Sequence, residues 1–104
     1  MERVAFKMKL KPGFEEEYKK RHDELWPEMA ELIKQSGVAQ YSIFLDSETN
    51  ILFGYLQRDT SVPDLQSVEH PVVRKWWKHM ADIMEVNEDL SPVVKPLSEV
   101  FFLP

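Results

Sequence analysis

The 104-residue sequence contains no cysteine, which excludes disulfide scaffolds, cysteine-zinc sites and thiol nucleophiles. Its apolar runs all fall short of the roughly 18 residues that a membrane-spanning helix needs. Positive charge is also scarce, since 13 Lys and Arg face 18 Asp and Glu and give a formal net charge of −5. This balance disfavours a general nucleic-acid-binding surface, which must be basic to release counterions. The first residues show no basic region followed by an apolar stretch, so no secretory signal is visible and a cytoplasmic location is expected.

The chain length predicts a single domain over residues 1–104. A chain of 12.3 kDa buries roughly two-thirds of its extended surface, which allows one modest core. Aromatic residues make up 12% of the sequence, and this is too much apolar surface for a disordered chain. One small folded domain is therefore expected.

Four segments have the residue patterns of strands. Residues 2–10 alternate and place one apolar set on a single face: Val4, Phe6, Met8 and Leu10. Residues 38–46 and 51–56 predict a hairpin, because a cluster of turn residues, Asp46–Asn50, lies between them. Residues 98–103 predict a last strand at the end of the chain.

One long helix is predicted over residues 14–36, where apolar residues recur every three or four positions. Pro27 lies inside this segment and removes one backbone hydrogen bond, so a kink or break is expected near Leu25–Trp26.

The second half of the chain predicts two further helices. A short helix is expected to begin at Thr60 or Ser61, and another to run from the His70–Pro71 step to about Met84. Residues 85–97 hold two prolines and indicate an irregular connection.

The order β-α-β-β-α-β is the ferredoxin-like α+β arrangement, with helices on one face of an antiparallel sheet. The other face also carries bulky groups, because Phe44, Phe53, Tyr55 and one of Phe101 and Phe102 cannot all point at the helices. Such a face needs a pocket or a second subunit to cover it. The sequence therefore predicts a homodimer joined through the sheets.

His22 is the first candidate functional residue, and it lies on the apolar stripe of the first helix. A histidine in that position is more often a hydrogen-bonded structural residue than a catalytic one. The functional alternative is acid–base chemistry, since imidazole exchanges protons near neutral pH. Tyr18, one turn earlier, projects its hydroxyl toward the same space.

Trp76 and Trp77 are the second candidate feature. Adjacent helical residues point about 100° apart, so one ring faces the core and the other a pocket or an interface. The pair is either core packing with a dimer contact or a platform for carbohydrate, because aromatic faces stack on the C–H face of a pyranose. Tyr41, on the strand after the first helix, is placed to bring its hydroxyl near either site.

Metal and phosphate sites are not supported by the motifs. His70 and His79 are nine residues apart with Pro71 between them, and no HExxH-type pair occurs. The three glycines stand alone and form no phosphate-binding loop. No cofactor or metal is expected.

Over nearly its full length the sequence resembles the L-rhamnose mutarotase family. The resemblance is carried by these segments: Glu17–Tyr18, Arg21–His22, Trp26–Glu28, Tyr41–Ile43, Leu45–Asp46, Arg74–Lys78 with Met80 and Asp82, Ser91–Val93, Glu99–Phe101 and Leu103–Pro104.

The resemblance implies a dimeric ferredoxin-like α+β barrel that interconverts the α and β anomers of L-rhamnose. It implies that His22 is the proton donor and that four residues contact the sugar: Tyr18, Tyr41, Trp76 and Trp77. The chain departs from the family pattern in residues 58–72 and on outer helix positions, which bears on the breadth of substrates.

The chemistry of anomer exchange fits these residue types. Opening a pyranose at C1 requires a proton delivered to the ring oxygen O5 and one removed from the O1 hydroxyl. The hypothesis is that His22 is the acid, that Tyr18 orients it or the sugar, and that Trp76 or Trp77 holds the ring. The base is left open.

Two alternatives belong to other functional classes. One is a cofactor-independent monooxygenase-type enzyme on the same dimeric barrel, and the other is a non-catalytic sugar-binding module. Oxygen uptake would mark the first, and sugar binding without anomer exchange would mark the second.

Overall fold

The computed structural model describes residues 1–67 and 69–104. Within them, strands β1 (Glu2–Lys9), β2 (Val38–Asp46), β3 (Ile51–Arg58) and β4 (Lys95–Leu97) form an antiparallel sheet in the order β2-β3-β1-β4. The helices are α1 (Glu15–Asp23), α2 (Pro27–Gln35) and α3 (Pro71–Met80). The predicted α+β class and β-α-β-β-α-β order are confirmed, with the first helix in two parts. In these residues, no helix has the length and apolar content to cross a bilayer.

The strand register fixes which side chains share a face of the sheet. Residues directly opposite each other point to the same side. Met8 pairs with Leu52, and both are buried against the helices. Phe6, two residues earlier, pairs with Gly54 and therefore lies on the same helix-covered face. The predicted alternation of β1 is confirmed.

The predicted break at Pro27 is confirmed. α1 ends at Asp23, and α2 begins at Pro27 itself. Proline suits the first helical position because its missing N–H would have no intrahelical partner there.

The core lies between the sheet and all three helices. It consists of the following buried residues: Met8, Leu10, Tyr18, Met29, Leu32, Leu52, Val73, Trp76, Met80, Ile83 and Met84. Tyr18 is the one buried residue of α1, whereas α3 contributes Val73, Trp76 and Met80. The sheet is therefore covered more firmly by α3 than by α1.

The opposite face of the sheet carries large side chains that the helices do not cover. Phe44 pairs with Phe53, which pairs with Lys7 on β1. Phe44 is 65% exposed and Phe53 is 37% exposed. The expectation that these residues point away from the helices is confirmed, and we call this surface the open sheet face.

The short helix predicted from Thr60 or Ser61 is wrong for residues 60–67, which form turns and bends, and Val68 lies outside the described residues. Side-chain oxygens accept hydrogen bonds from backbone N–H groups that would otherwise bond within a helix. The Asp59 carboxylate accepts from the Ser61 N–H at 3.0 Å, and the Ser36 hydroxyl accepts from the Leu65 N–H at 3.0 Å. Such local bonds compete with helix formation.

The strand predicted over residues 98–103 is also wrong. The chain pairs with β1 only at Lys95–Leu97 and then leaves the sheet edge. Beyond that point Glu99 binds the Arg3 guanidinium at 2.6 Å, and the Arg3 guanidinium carbon lies 3.5 Å from the centre of the Phe102 ring. These side-chain contacts replace the backbone ladder.

Helix α3 ends at Met80, earlier than the predicted Met84. The next residues form tighter turns, in which the Ile83 N–H donates to the Met80 carbonyl at 3.2 Å. Residues 85–94 form turns and isolated bridges, which agrees with the irregular connection predicted there.

Candidate functional site

Helix α1 brings Tyr18 and His22 together on one side. Residues four apart are neighbours on a helix surface. Their rings stack with centroids 4.3 Å apart and planes inclined by 30°. Tyr18 is buried, and His22 is half-buried beside it.

A hydrogen bond fixes the tautomer of His22. Its Nδ1 lies 3.0 Å from the backbone carbonyl oxygen of Tyr18. A carbonyl oxygen only accepts, so Nδ1 carries the hydrogen and donates it. In the neutral ring Nε2 then holds the lone pair, and no group in residues 1–67 and 69–104 bonds to it.

Burial sets the charge of His22. Desolvation lowers the pKa of the imidazole below its ordinary value, against the opposing effects of the bond to Tyr18 and of the Asp23 charge. At neutral pH the ring is therefore mainly uncharged, with Nε2 as a proton acceptor.

The two phenols are protonated hydroxyl groups at neutral pH. Burial, followed by the nearby Tyr41, raises the pKa of Tyr18 well above its ordinary value. Burial also raises the pKa of Tyr41 to about 12. Tyr41 as a whole is 38% exposed in the single chain. Both groups can donate hydrogen bonds, and neither is a base near pH 7.

Strand β2 supplies Tyr41 from the edge of the sheet. Its ring meets Phe6 of β1 edge-on, with centroids 6.2 Å apart and planes at 79°. Tyr41 pairs with Leu56 of β3, two residues after Gly54, so it lies on the same helix-covered face as Phe6.

Trp76 of α3 packs against His22. The rings of His22 and Trp76 meet edge-on at 5.4 Å. Trp26 packs against Trp76 at 5.2 Å, and the His79 ring lies 5.6 Å from Trp76 and 5.4 Å from Trp26. Three predicted site residues, Tyr18, His22 and Trp76, are therefore in direct ring contact.

Trp77 does not join this cluster. It is half-buried and packs against the core. In the described part of the chain its ring forms no stacked or edge-on pair with Tyr18, His22 or Tyr41. Its predicted sugar contact stays a prediction.

Sequence reasoning did not single out Phe6, Trp26 or His79 as members of the site. Trp76 and His79 are three residues apart on one helix, and that spacing places them on one face. The contact between Phe6 and Tyr41 depends on pairing across β3, which sequence spacing does not reveal.

The polar groups of this candidate site are suited to proton exchange with an uncharged ligand. Residues 1–67 and 69–104 hold no group of three or more acidic, His or Cys side chains arranged for a metal ion. The polar groups are a mainly neutral imidazole and two protonated phenols, set among aromatic rings. Such rings stack on the C–H faces of sugars. Fold and site thus define a small α+β protein that is equipped for acid–base work on a polyhydroxylated ring.

Comparison with known proteins narrows this class. A family model described as L-rhamnose mutarotase matches residues 3–103. An L-rhamnose mutarotase of Agrobacterium fabrum is 58% identical over 104 residues, which cover 100% of this chain and 97% of that protein. One from Rhizobium leguminosarum bv. trifolii is 54% identical over 100% of this chain and 98% of that protein. The chain belongs to the L-rhamnose mutarotase family.

Solved structures agree with this assignment. The crystal structure of an L-rhamnose mutarotase from Formosa agariphila matches with a TM-score of 0.92 and 52% identity, over 100% of both chains. A Pseudomonas aeruginosa protein matches with a TM-score of 0.56 and 13% identity over 95% of this chain and 93% of that one, which shows the fold alone. The comparisons support the mutarotase interpretation rather than the monooxygenase or binding-module alternatives.

Proposed function

We propose that this protein interconverts the α and β anomers of L-rhamnopyranose, with His22 as the proton donor. The observation that carries the proposal is the state of His22: its tautomer is fixed by the Tyr18 carbonyl, and its Nε2 has no protein partner among the described residues. The names of the relatives supply the sugar, since they are L-rhamnose mutarotases.

The proton that His22 donates is one that it first accepts. In its neutral form, Nε2 takes the proton of the O1 hydroxyl while C1=O1 forms and the C1–O5 bond breaks. The resulting imidazolium gives that proton to O5, which becomes the C5 hydroxyl of the open-chain aldehyde. Rotation about C1–C2 and the reverse steps give the other anomer. Because O1 and O5 are both bound to C1, one nitrogen can serve both.

The tyrosines and tryptophans bind and orient the sugar in this proposal. Tyr18 and Tyr41 donate hydrogen bonds to sugar oxygens, because their raised pKa values keep them protonated. Trp76, which contacts His22, offers an apolar surface to the pyranose ring, and Trp77 completes the sugar contacts. Anomer exchange already proceeds in water, so acid–base help of about 10²–10⁴-fold with positioning is enough.

Replacement of His22 by Asn tests the proposal. The His22→Asn variant should lose enzymatic anomer exchange and stay folded, because Asn cannot shuttle a proton. The measurement is magnetisation transfer between the two anomeric proton signals of L-rhamnose, with L-mannose and L-lyxose as comparison sugars. Circular dichroism checks the fold.

A matched control is His70→Asn. His70 caps α3 by accepting from the Val72 N–H at 3.3 Å, and Asn is among the residues that best accept this bond. This variant should exchange anomers like the unmodified protein. Exchange that persists in His22→Asn would refute the role of His22, and an unmodified protein that accelerates exchange of no sugar would refute the function.

We also propose that the protein works as a homodimer joined through the open sheet face. The exposed aromatic surface around Phe44 and Phe53 supports this assembly. So does the chain end, where Val100 is 93% exposed and Phe101 is 76% exposed. A cytoplasmic location stays a prediction from the sequence.

A further inference from the structure

Helix α1 carries two of the proposed site residues but has little apolar contact with the rest of the molecule. Its nine residues, Glu15–Asp23, include a single buried side chain, that of Tyr18. A short helix with few buried contacts has low local stability. Polar contacts must therefore contribute to holding His22 in place.

Arg21, next to His22, makes the contacts that join α1 to the end of α3. Its Nη1 donates to the His79 carbonyl oxygen at 2.5 Å and to Asp82 Oδ1 at 2.8 Å. Its Nη2 donates to Asp82 Oδ2 at 3.2 Å, and its Nε donates to Glu17 Oε1 at 3.0 Å. All three guanidinium nitrogens are thus engaged, and the side chain is only 15% exposed.

These contacts join two parts of the proposed site. His79 lies in the last turn of α3, and Trp76 lies one turn earlier on the same helix. The edge-on contact of 5.4 Å between His22 and Trp76 therefore spans the same pair of helices that Arg21 links. Displacement of α1 relative to α3 would change the His22–Trp76 contact and the Arg21 hydrogen bonds together.

We infer that Arg21 is a positioning residue for the reaction, which holds His22 against Trp76 by clamping α1 to the C-terminal end of α3. The inference rests on the proposed function for its catalytic consequence. Arg21 itself reaches no reacting atom in this proposal and acts through His22.

The planar guanidinium is required for this clamp. Arginine presents its donors in a fixed fork that binds a carboxylate through two parallel bonds, whereas lysine is a point charge on a flexible stem. Arg21→Lys should therefore keep the charge and lose most of the geometry. Arg21→Met keeps an apolar stem and removes every donor.

The same helix offers a matched control. Lys19 binds Asp23 at 2.8 Å, but both belong to α1 and their side chains are 77% and 61% exposed. Lys19→Met also removes one positive charge from α1 and breaks an ion pair, without touching α3. Asp23→Asn is the corresponding control for Asp82→Asn.

The first measurement follows the ring protons of His22 by NMR. Stacking on Tyr18 and contact with Trp76 shift these signals from those of a histidine in an unfolded chain. At pH 9, where the lowered pKa leaves the His22 ring uncharged with or without the Asp23 charge, the signals in Arg21→Met and in Asp82→Asn should move toward the unfolded value, and those in Lys19→Met and Asp23→Asn should not. This readout does not depend on catalysis, so it separates failure of the inference from failure of the proposed function.

The second measurement is the anomer exchange rate as a function of L-rhamnose concentration. Arg21→Met should lower kcat by about 10–100-fold with little change in KM, because misplacing a catalytic group costs rate more than binding. Arg21→Lys should recover only part of the loss. Unfolding measured in parallel gives the fraction of folded protein, and Asp82→Asn provides the test if Arg21→Met does not fold.

Two results would overturn the inference. One is an unchanged His22 ring signal in both the Arg21→Met and Asp82→Asn variants. The other is a loss of rate that merely follows the unfolded fraction, with kcat per folded molecule unchanged.

Discussion

At the scale of single residues, Gly54 determines where the ring of Phe6 lies. A Cβ atom on Gly54 would overlap the Cζ and Cε2 atoms of that ring. Glycine therefore lets Phe6 lie flat across β3, and Phe6 in turn contacts Tyr41 edge-on. A residue with no side chain thus sets the position of a phenol on the neighbouring edge strand.

Replacing Gly54 by Ala should disturb this arrangement. Overpacking of this kind costs about 1–3 kcal/mol, so the midpoint of urea unfolding should fall, and displaced Tyr41 should raise the KM for L-rhamnose. The double variant Gly54→Ala with Phe6→Leu should regain stability, because the smaller side chain makes room for the new methyl group. A single variant as stable as the unmodified protein would show that the Phe6 ring is not confined as described.

The pH dependence of the reaction follows from the lowered pKa of His22. Protonated His22 cannot accept the O1 proton, so kcat/KM should rise with pH through the pKa of His22 and then level off. Because burial lowers that pKa, the midpoint should lie below about 6.5, the ordinary value for histidine. Anomer exchange followed from pH 4 to pH 9 measures it. A rate that increases on acidification would instead mean that the imidazolium begins the cycle.

At the scale of elements, sequence patterns predicted what depends on neighbours in the chain. The alternation in β1 and the turn between β2 and β3 placed these strands within two residues of their observed ends. Pro27 predicted the division between α1 and α2 because it acts on its own backbone. Local chemistry was sufficient in each case.

The predictions were wrong where residues distant in the sequence determine the backbone conformation. Arg58 donates to the Val62 carbonyl at 2.6 Å and to the Ser36 carbonyl at 3.0 Å, and these bonds hold the segment that was predicted to be a helix. The terminal segment has the apolar residues of a strand, but only Lys95–Leu97 pairs with β1. The apolar pattern therefore predicted strand pairing for residues that lie exposed at the chain end, where Val100 is 93% exposed.

The candidate site shows the same division. The spacing of Tyr18 and His22 on one helix predicted their proximity, whereas no spacing predicted that Phe6 would meet Tyr41 or that Arg21 would reach Asp82. Those contacts are made by tertiary packing between separate elements. The residue types were enough to indicate acid–base chemistry. The residues that hold the site in place could be identified only from the folded structure.

At the scale of the whole molecule, the chain exposes more surface than its mass requires. Its accessible area is 7144 Å², whereas a compact monomer of 12.3 kDa exposes about 6,100 Å². The excess of about 1,000 Å² is of the order that one partner buries in a stable interface. Much of the apolar part lies on the open sheet face and the chain end, which agrees with the proposed homodimer.

A charge on the open sheet face should separate the subunits. The unmodified protein should have twice the 12.3 kDa chain mass in sedimentation equilibrium, and Phe44→Glu should shift the mass toward that of one chain, because Phe44 is 65% exposed in a single copy. Gln35→Glu, an exposed position on α2, adds the same charge on the helix side and should leave the mass unchanged. An unmodified protein that sediments as a monomer at micromolar concentration would disprove the homodimer.

Because α1 is weakly anchored, the chain can keep its fold while the proposed catalytic site is lost. Because Tyr18 is the one buried residue of this helix, α1 can detach while the sheet and α3 stay assembled. Amide hydrogens of α1 should then exchange with solvent through a smaller opening than those of β1 and β3. On heating, turnover should therefore fail at a lower temperature than the one at which the whole chain unfolds.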